Sequence, residues 1–103
     1  MAAEELRTLV QRLLAQVGHW ETGRWSASAG VLTRGDLVHG LVQRLADLGA
    51  EAERRPPREV PREADTTLPD QLRVMTDDLL AAPAPDDLLS RAAEAVRATR
   101  EAL

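Results

Sequence analysis

The stretch TRGDLVHGLVQRLADLGAEAE, residues 33–53, decides the fold class of this chain. Thr33 lies three residues before Asp36, a spacing typical of the capping box that starts a helix. Apolar side chains then recur at steps of three and four residues, which places them on one helical face; they are Leu37, Val38, Leu41, Val42, Leu45, Leu48 and Ala52. The other side carries the polar residues His39, Gln43, Asp47 and Glu51. This pattern predicts a helix over residues 34–53 with one broad buried face.

Three other segments show the same period and predict helices over residues 3–17, 69–82 and 87–102. Their inward-facing positions are Leu6, Leu9, Val10, Leu13, Leu14 and Val17 in the first, Leu68, Leu72, Met75, Leu79 and Ala82 in the second, and Leu88, Leu89, Ala92, Val96, Thr99 and Leu103 in the third. Pro69 suits the first turn of its helix, and Asp86 is expected to cap the last helix. The short break between the last two helices favours an antiparallel hairpin.

Residues 54–67 join the second and third predicted helices and contain three prolines, Pro56, Pro57 and Pro61. Proline removes a backbone donor and pushes the preceding residue towards extended geometry, so this segment cannot continue a helix. At about 3.1 Å per residue, such a connector is long enough to cross a bundle. It can therefore join two helices that run in the same direction or in opposite directions, and the topology stays open.

The composition indicates one domain, residues 1–103, of the all-α class. We expect a compact four-helix, bundle-like domain with a Trp-containing loop after the first helix and a Pro/Arg-rich connector after the second. No apolar run is long enough to span a bilayer, and the start, MAAEE, is acidic where a secretory signal is basic, so the expected location is cytoplasmic. Ile, Lys and Asn are absent, a bias typical of GC-rich bacterial coding sequences.

The net charge of −4 is concentrated in the last third of the chain. Residues 65–103 contain four arginines and eight acidic residues, whereas residues 1–32 and 33–64 are each balanced. A nucleic-acid partner requires a basic surface. The charge distribution therefore predicts no nucleic-acid partner, and the lack of a long apolar run predicts no membrane partner.

The stretch HWETGRWSASAG, residues 19–30, contains the only aromatic rings of the chain, those of Trp20 and Trp25. Trp20 continues the apolar stripe of the first helix, and we expect it in the core. For Trp25 two interpretations are open: a plug over one end of the bundle, or an exposed anchor of the kind favoured at protein interfaces. Arg24 is placed for a cation–π contact with these rings.

No motif of catalysis or of metal and phosphate binding is found in the chain. Ser26, Ser28 and Ser90 lack the glycine context of a nucleophile elbow. His19 and His39 have no second His or Cys at a metal-binding spacing. The sequence therefore predicts no enzymatic activity, no cofactor and no metal.

The densest acidic cluster of the chain consists of Asp65, Asp70, Asp77, Asp78, Asp86 and Asp87, of which Asp70, Asp77 and Asp78 lie on the third long helix. Three interpretations are open: pairing with the arginines of the connector, a solvated face, or a surface for a basic partner. Val74 lies off the apolar stripe of the same helix, and we expect it to be exposed.

These features favour a non-catalytic protein–protein interaction or assembly module, with a homodimer as one option. The predicted partner-binding residues are Trp25, Arg24, Asp70, Asp77 and Asp78. The alternative is a small-ligand-binding or regulatory accessory domain, with a pocket under the loop that carries the two tryptophans.

Overall fold

A computed structural model describes all residues from 1 to 103 and confirms the all-α class. The four long helices are α1 (Ala2–Val17), α3 (Arg34–Ala52), α4 (Leu68–Ala81) and α5 (Asp86–Ala102). Between α1 and α3 lie a short helix, α2 (Thr22–Trp25), and two strands, β1 (Ser28–Ala29) and β2 (Leu32–Thr33); a 3-10 turn, Asp65–Thr67, precedes α4. Each end of the four long helices lies within one residue of its predicted position. None of the helices has the length and hydropathy needed to span a bilayer.

The predicted capping box at the start of α3 is present. The Asp36 backbone N–H donates to the Thr33 hydroxyl at 3.0 Å, and the Thr33 backbone N–H donates to the Asp36 carboxylate at 3.0 Å. The predicted Asp86 cap is wrong, because Pro85 occupies the cap position and makes no side-chain bond. Asp86 instead lies in the first turn, where the helix dipole favours its negative charge.

The predicted apolar stripes meet in one continuous core. Its members are Leu6, Leu9, Val10, Leu13, Val17, Trp20, Trp25, Val38, Leu41, Val42, Leu45, Leu48, Val60, Leu68, Leu72, Leu79, Leu88, Leu89, Ala92, Ala93 and Val96. Burying each large aliphatic side chain contributes about 1.5–3 kcal/mol. Val60 is the one member that comes from the connector, and Val74 is 52% exposed, as predicted.

The four long helices form a square in which each helix packs on two neighbours. α1 packs on α5 and α4, and α3 packs on α4 and α5. The helices α4 and α5, although joined by a short link, therefore lie across a diagonal. The two helices run in opposite directions, as expected from the short link, but they do not pack on each other, because each buries its apolar stripe against α1 and α3.

The helices α3 and α4 run in the same direction. Asp65, just before α4, lies against Gly35 at the start of α3. Towards the other end, Gly49 of α3 and Asp78 of α4 line the same groove. The connector between these helices must therefore return along the whole length of α3.

The helices α1 and α5 run in the opposite direction to α3. The ring of Trp20, just after α1, lies 5.5 Å from the guanidinium of Arg34 at the start of α3. Near the end of α5, the Nε of Arg100 donates to the side chain of Gln16 near the end of α1. The ends of α1 and α5 thus meet the start of α3, which completes a bundle with one long crossover connection.

We expect Gly35→Ala to destabilise the fold, because a Cβ at this position would lie 2.6 Å from the Asp65 Cγ. The cost of such overpacking is about 1–3 kcal/mol. Gly40→Ala is the matched control in the same helix: nothing lies within 4 Å of its added Cβ, and we expect a gain of about 0.5–1 kcal/mol. Urea unfolding of both variants checks this, and a Gly35→Ala variant as stable as Gly40→Ala would contradict the close approach.

Candidate functional site

Gln43 holds the connector against the polar side of α3. Its Nε2 donates to the Arg58 carbonyl at 2.9 Å and to the Asp47 carboxylate at 2.9 Å. Its Oε1 accepts the backbone N–H of Val60 at 2.8 Å. One side chain thus pairs with the backbone of alternate residues, as a neighbouring strand does with an extended chain.

Arg62 anchors the connector at the start of α3. Its guanidinium lies 3.1 Å from Asp36 Oδ1 and 3.1 Å from Asp65 Oδ1. Hydrogen bonds from the backbone and hydroxyl of Thr33, followed by the bond from Arg62, hold the pKa of Asp36 below its usual value. Burial opposes the charge of Arg62, but the two carboxylates outweigh it and raise the pKa of Arg62.

The connector arginines do not pair with the acidic face of α4. Apart from Arg62, the pairing of the connector is local, between Arg55 and Glu53 at 2.9 Å. On α4, Asp70 pairs with Arg73 at 2.9 Å, while Asp77 and Asp78 are exposed and make no ion pair; the full set of ion pairs contains neither. The interpretation of pairing with the connector arginines therefore holds for Asp65, which pairs with Arg62, and not for Asp70, Asp77 and Asp78, for which the other two interpretations remain.

The connector, α3 and α4 enclose a groove of about 240 Å³, the connector groove. Its floor consists of Leu45, Ala46, Gly49, Val60, Pro61 and Met75, and its rim of Glu53, Arg55, Arg58, Glu59 and Asp78. The sequence analysis missed this groove, because its walls come from three separate segments. The signal available in the sequence was Val60, the one large apolar residue among the charges and prolines of the connector.

Trp25 is fully buried and Trp20 is 7% exposed. The two rings meet edge to face, with centroids 5.0 Å apart and an interplanar angle of 70°. The plug interpretation of Trp25 is therefore the one that its burial supports. The interpretation as an exposed anchor is wrong, because α2 turns the indole inward, where no partner can reach it.

The segment after α2 is a small hairpin, which the sequence analysis treated as a loop. Ala29 pairs with Leu32 across the two-residue turn Gly30–Val31. Gly30 has a φ of +75°, as the first turn position of a type II′ hairpin requires. The turn leaves Val31 fully exposed at its tip.

The guanidinium of Arg24 lies 5.1 Å from the ring centroid of Trp20, so the expected cation–π contact is present. A shallow hollow at this place is lined by His19, Trp20, Glu21, Gly23 and Arg24. Trp20 is the one of the two rings that lines this hollow, whereas Trp25 is buried and does not. The predicted pocket at this loop therefore has Trp20 and Arg24 as candidate lining residues, without Trp25.

The predicted partner-binding residues lie on two separate surfaces. Arg24 lies near the start of α3, whereas Asp78 lies beside Gly49 towards the end of α3. Asp70 and Asp77 follow the outer face of α4 between these ends. No group of three or more metal-ligating side chains comes together in the structure. A comparison with known proteins finds no family model, curated relative or solved structure that matches this chain.

We expect the connector to loosen in Gln43→Ala, because the substitution leaves the Val60 N–H and the Arg58 carbonyl without partners. The bond to Arg58 is exposed and the bond from Val60 is partly buried, and the net contribution of such a hydrogen bond is about 0.5–1.5 kcal/mol. The measurement is hydrogen exchange at the Val60 amide together with urea unfolding. Gln11→Ala, at an exposed position of α1, is the control. Unchanged exchange at Val60 would contradict the role assigned to Gln43.

We expect the free energy of unfolding to fall as the pH drops through about 4 and below. The pKa of Asp36 is lower in the folded chain than in the unfolded one. Its contribution to stability is therefore present above the unfolded pKa and is lost as the pH falls through the folded pKa. Urea unfolding between pH 7 and about pH 2 should give a shallower fall for Asp36→Asn than for the natural chain. The same substitution at Asp77, which makes no ion pair, is the control.

Proposed function

We propose that this chain is a non-catalytic module that binds a segment of another protein chain in the connector groove. The observation that carries the proposal is an apolar floor held open between α3, α4 and the connector. Leu45 and Val60 belong to the core, and Met75 packs against it, so the floor is continuous with the interior. An apolar side chain of a partner would extend this core.

Gly49 keeps the connector groove open. A Cβ at this position would have no atom within 4 Å, so the missing side chain leaves space next to Leu45 and Met75. The volume of about 240 Å³ suits a large apolar side chain. It is smaller than the roughly 300–1,000 Å³ typical of small-molecule pockets. The size therefore favours a side chain of a protein partner over a free ligand.

The charges around the connector groove favour a partner with a basic residue beside its apolar one. Glu53 and Arg55 on the rim neutralise each other. Asp77 lines a separate hollow, between α4 and α1. On the rim of the groove, the carboxylates of Asp78 and Glu59 have no ion-pair partner and outweigh the single unpaired cation, Arg58. A cation next to these carboxylates gains attraction and steers the encounter.

The outer face of α4 would extend the contact beyond the groove itself. A stable interface buries about 1,200–2,000 Å² in total, which a single groove cannot supply. Val74 is 52% exposed on this face and lies among Asp70, Asp77 and Asp78. An apolar centre with a charged surround is the usual anatomy of an interface.

Affinity capture from cells of the source organism tests the proposal. Gly49→Leu should abolish capture of the partner, because its side chain fills the groove. Gly40→Leu, in the same helix and with an equally open Cβ position, should capture as the natural chain does. Sedimentation at several concentrations shows whether the partner is a second copy. A partner retained equally by both variants would contradict the groove as the binding site.

The charge requirement is tested by the pair Asp77→Asn and Asp78→Asn in one chain. We expect weaker capture, with a dependence on salt reduced relative to the natural chain. Glu4→Gln with Glu101→Gln removes the same charge from exposed positions on other helices and is the control. Equal loss in both double variants would indicate an effect of net charge instead of a local contact.

A further inference from the structure

The connector is bound to α3 in the way that a groove binds an extended peptide. Its backbone at residues 58 and 60 pairs with the side-chain amide of Gln43. The Gln71 amide, on α4, donates to the carbonyl of Pro61 at 3.4 Å. Val60 enters the core and is 6% exposed. Main-chain bonds with one apolar side chain in a cleft are the elements of peptide recognition by extended-chain addition.

The arginine near the end of this segment is also bound, by two carboxylates. Arg62, two residues after Val60, lies between the carboxylates of Asp36 and Asp65. The alternation of a buried aliphatic side chain and a paired arginine matches the period of an extended chain. We call the residues that receive the segment, Asp36, Gln43, Asp65 and Gln71, the connector seat.

The connector is held at only a few points along its length. Residues 54–59 and 61–64 are exposed, and Val60 alone is buried. Arg54, at the end of α3, has a φ of +55°, a left-handed conformation that non-glycine residues adopt at a cost. A segment with exposed backbone and few buried contacts belongs to the least stable part of a fold.

We propose that the connector seat also binds an extended segment of another protein, and that residues 58–62 occupy it as an internal competitor. The partner segment has an aliphatic residue followed two positions later by arginine, the pattern of Val60 and Arg62. This inference deepens the proposed function and rests on its premise that the chain binds a segment of another chain.

A synthetic peptide of the connector, PPREVPREA (residues 56–64), tests the proposal by fluorescence anisotropy. The full chain with Val60→Ser loses its own apolar anchor, and we expect it to bind the peptide roughly tenfold more tightly than the natural chain does. A peptide in which serine replaces the valine should not bind. Adding Gln43→Ala to the Val60→Ser chain should weaken binding of the unaltered peptide.

Arg62→Gln is a second receptor variant, because it frees the charged end of the connector without touching the core. It too should bind the peptide more tightly than the natural chain, and circular dichroism establishes that each variant is folded. Equal binding of the two peptides, or no binding by either folded variant at millimolar peptide, would overturn the proposal. This assay measures only the binding of the connector peptide. If it fails, the expectation that Gly49→Leu abolishes capture of a partner still stands.

Discussion

The parallel arrangement of α3 and α4 is the constraint on which the rest of the structure depends. Two parallel helices cannot be joined by a short turn, so the chain must travel back along α3 before α4 begins. The polar side of α3 provides the path: Gln43 pairs with the connector backbone at its middle, and Asp36 with Arg62 at its end. The polar side of α3 is therefore covered in part by the connector, while Gly40, Arg44 and Glu51 stay exposed.

This crossover connection also explains why Gln43 and Gly35 are as important for the fold as the leucines of α3. The apolar stripe would bury equally well against other helices in several arrangements, because hydrophobic burial has no direction. Hydrogen bonds and close approaches do have direction. The amide of Gln43 and the contact of Asp65 with Gly35 select one path for the connector. They thereby place Val60 at the edge of the core and create the groove beside it.

Features that depend on the spacing of residues within one segment could be predicted from the sequence. Features that depend on contacts between residues far apart in the chain could not. The four long helices and the Thr33–Asp36 capping box follow from spacing along one segment, and they were predicted within one residue. The path of the connector follows from bonds between residues 15 and 17 positions apart, which leave no periodic signal. The position of the Trp25 ring could not be predicted from the sequence either. The size of the side chain indicated that it matters, but whether the ring is buried or exposed depends on the direction in which α2 turns. The connector groove could not be predicted because it forms only where α3, α4 and the connector come together.

The ion pairs determine which charged side chains remain unpaired on the surface. The positive charge of Arg62 is paired at the surface of the fold, with Asp36 and Asp65. The carboxylate of Asp78 stays unpaired on the rim of the apolar groove, whereas that of Asp77 lies on the other flank of α4, beside a hollow between α1 and α4. A neutral apolar segment would bind in the groove with nothing to orient it, whereas a segment that carries an arginine at the right distance gains both direction and register. The connector shows such a pairing near the start of α3, where Arg62 meets Asp36 and Asp65, and for this reason we propose its Val60–Arg62 spacing as the model for a partner segment.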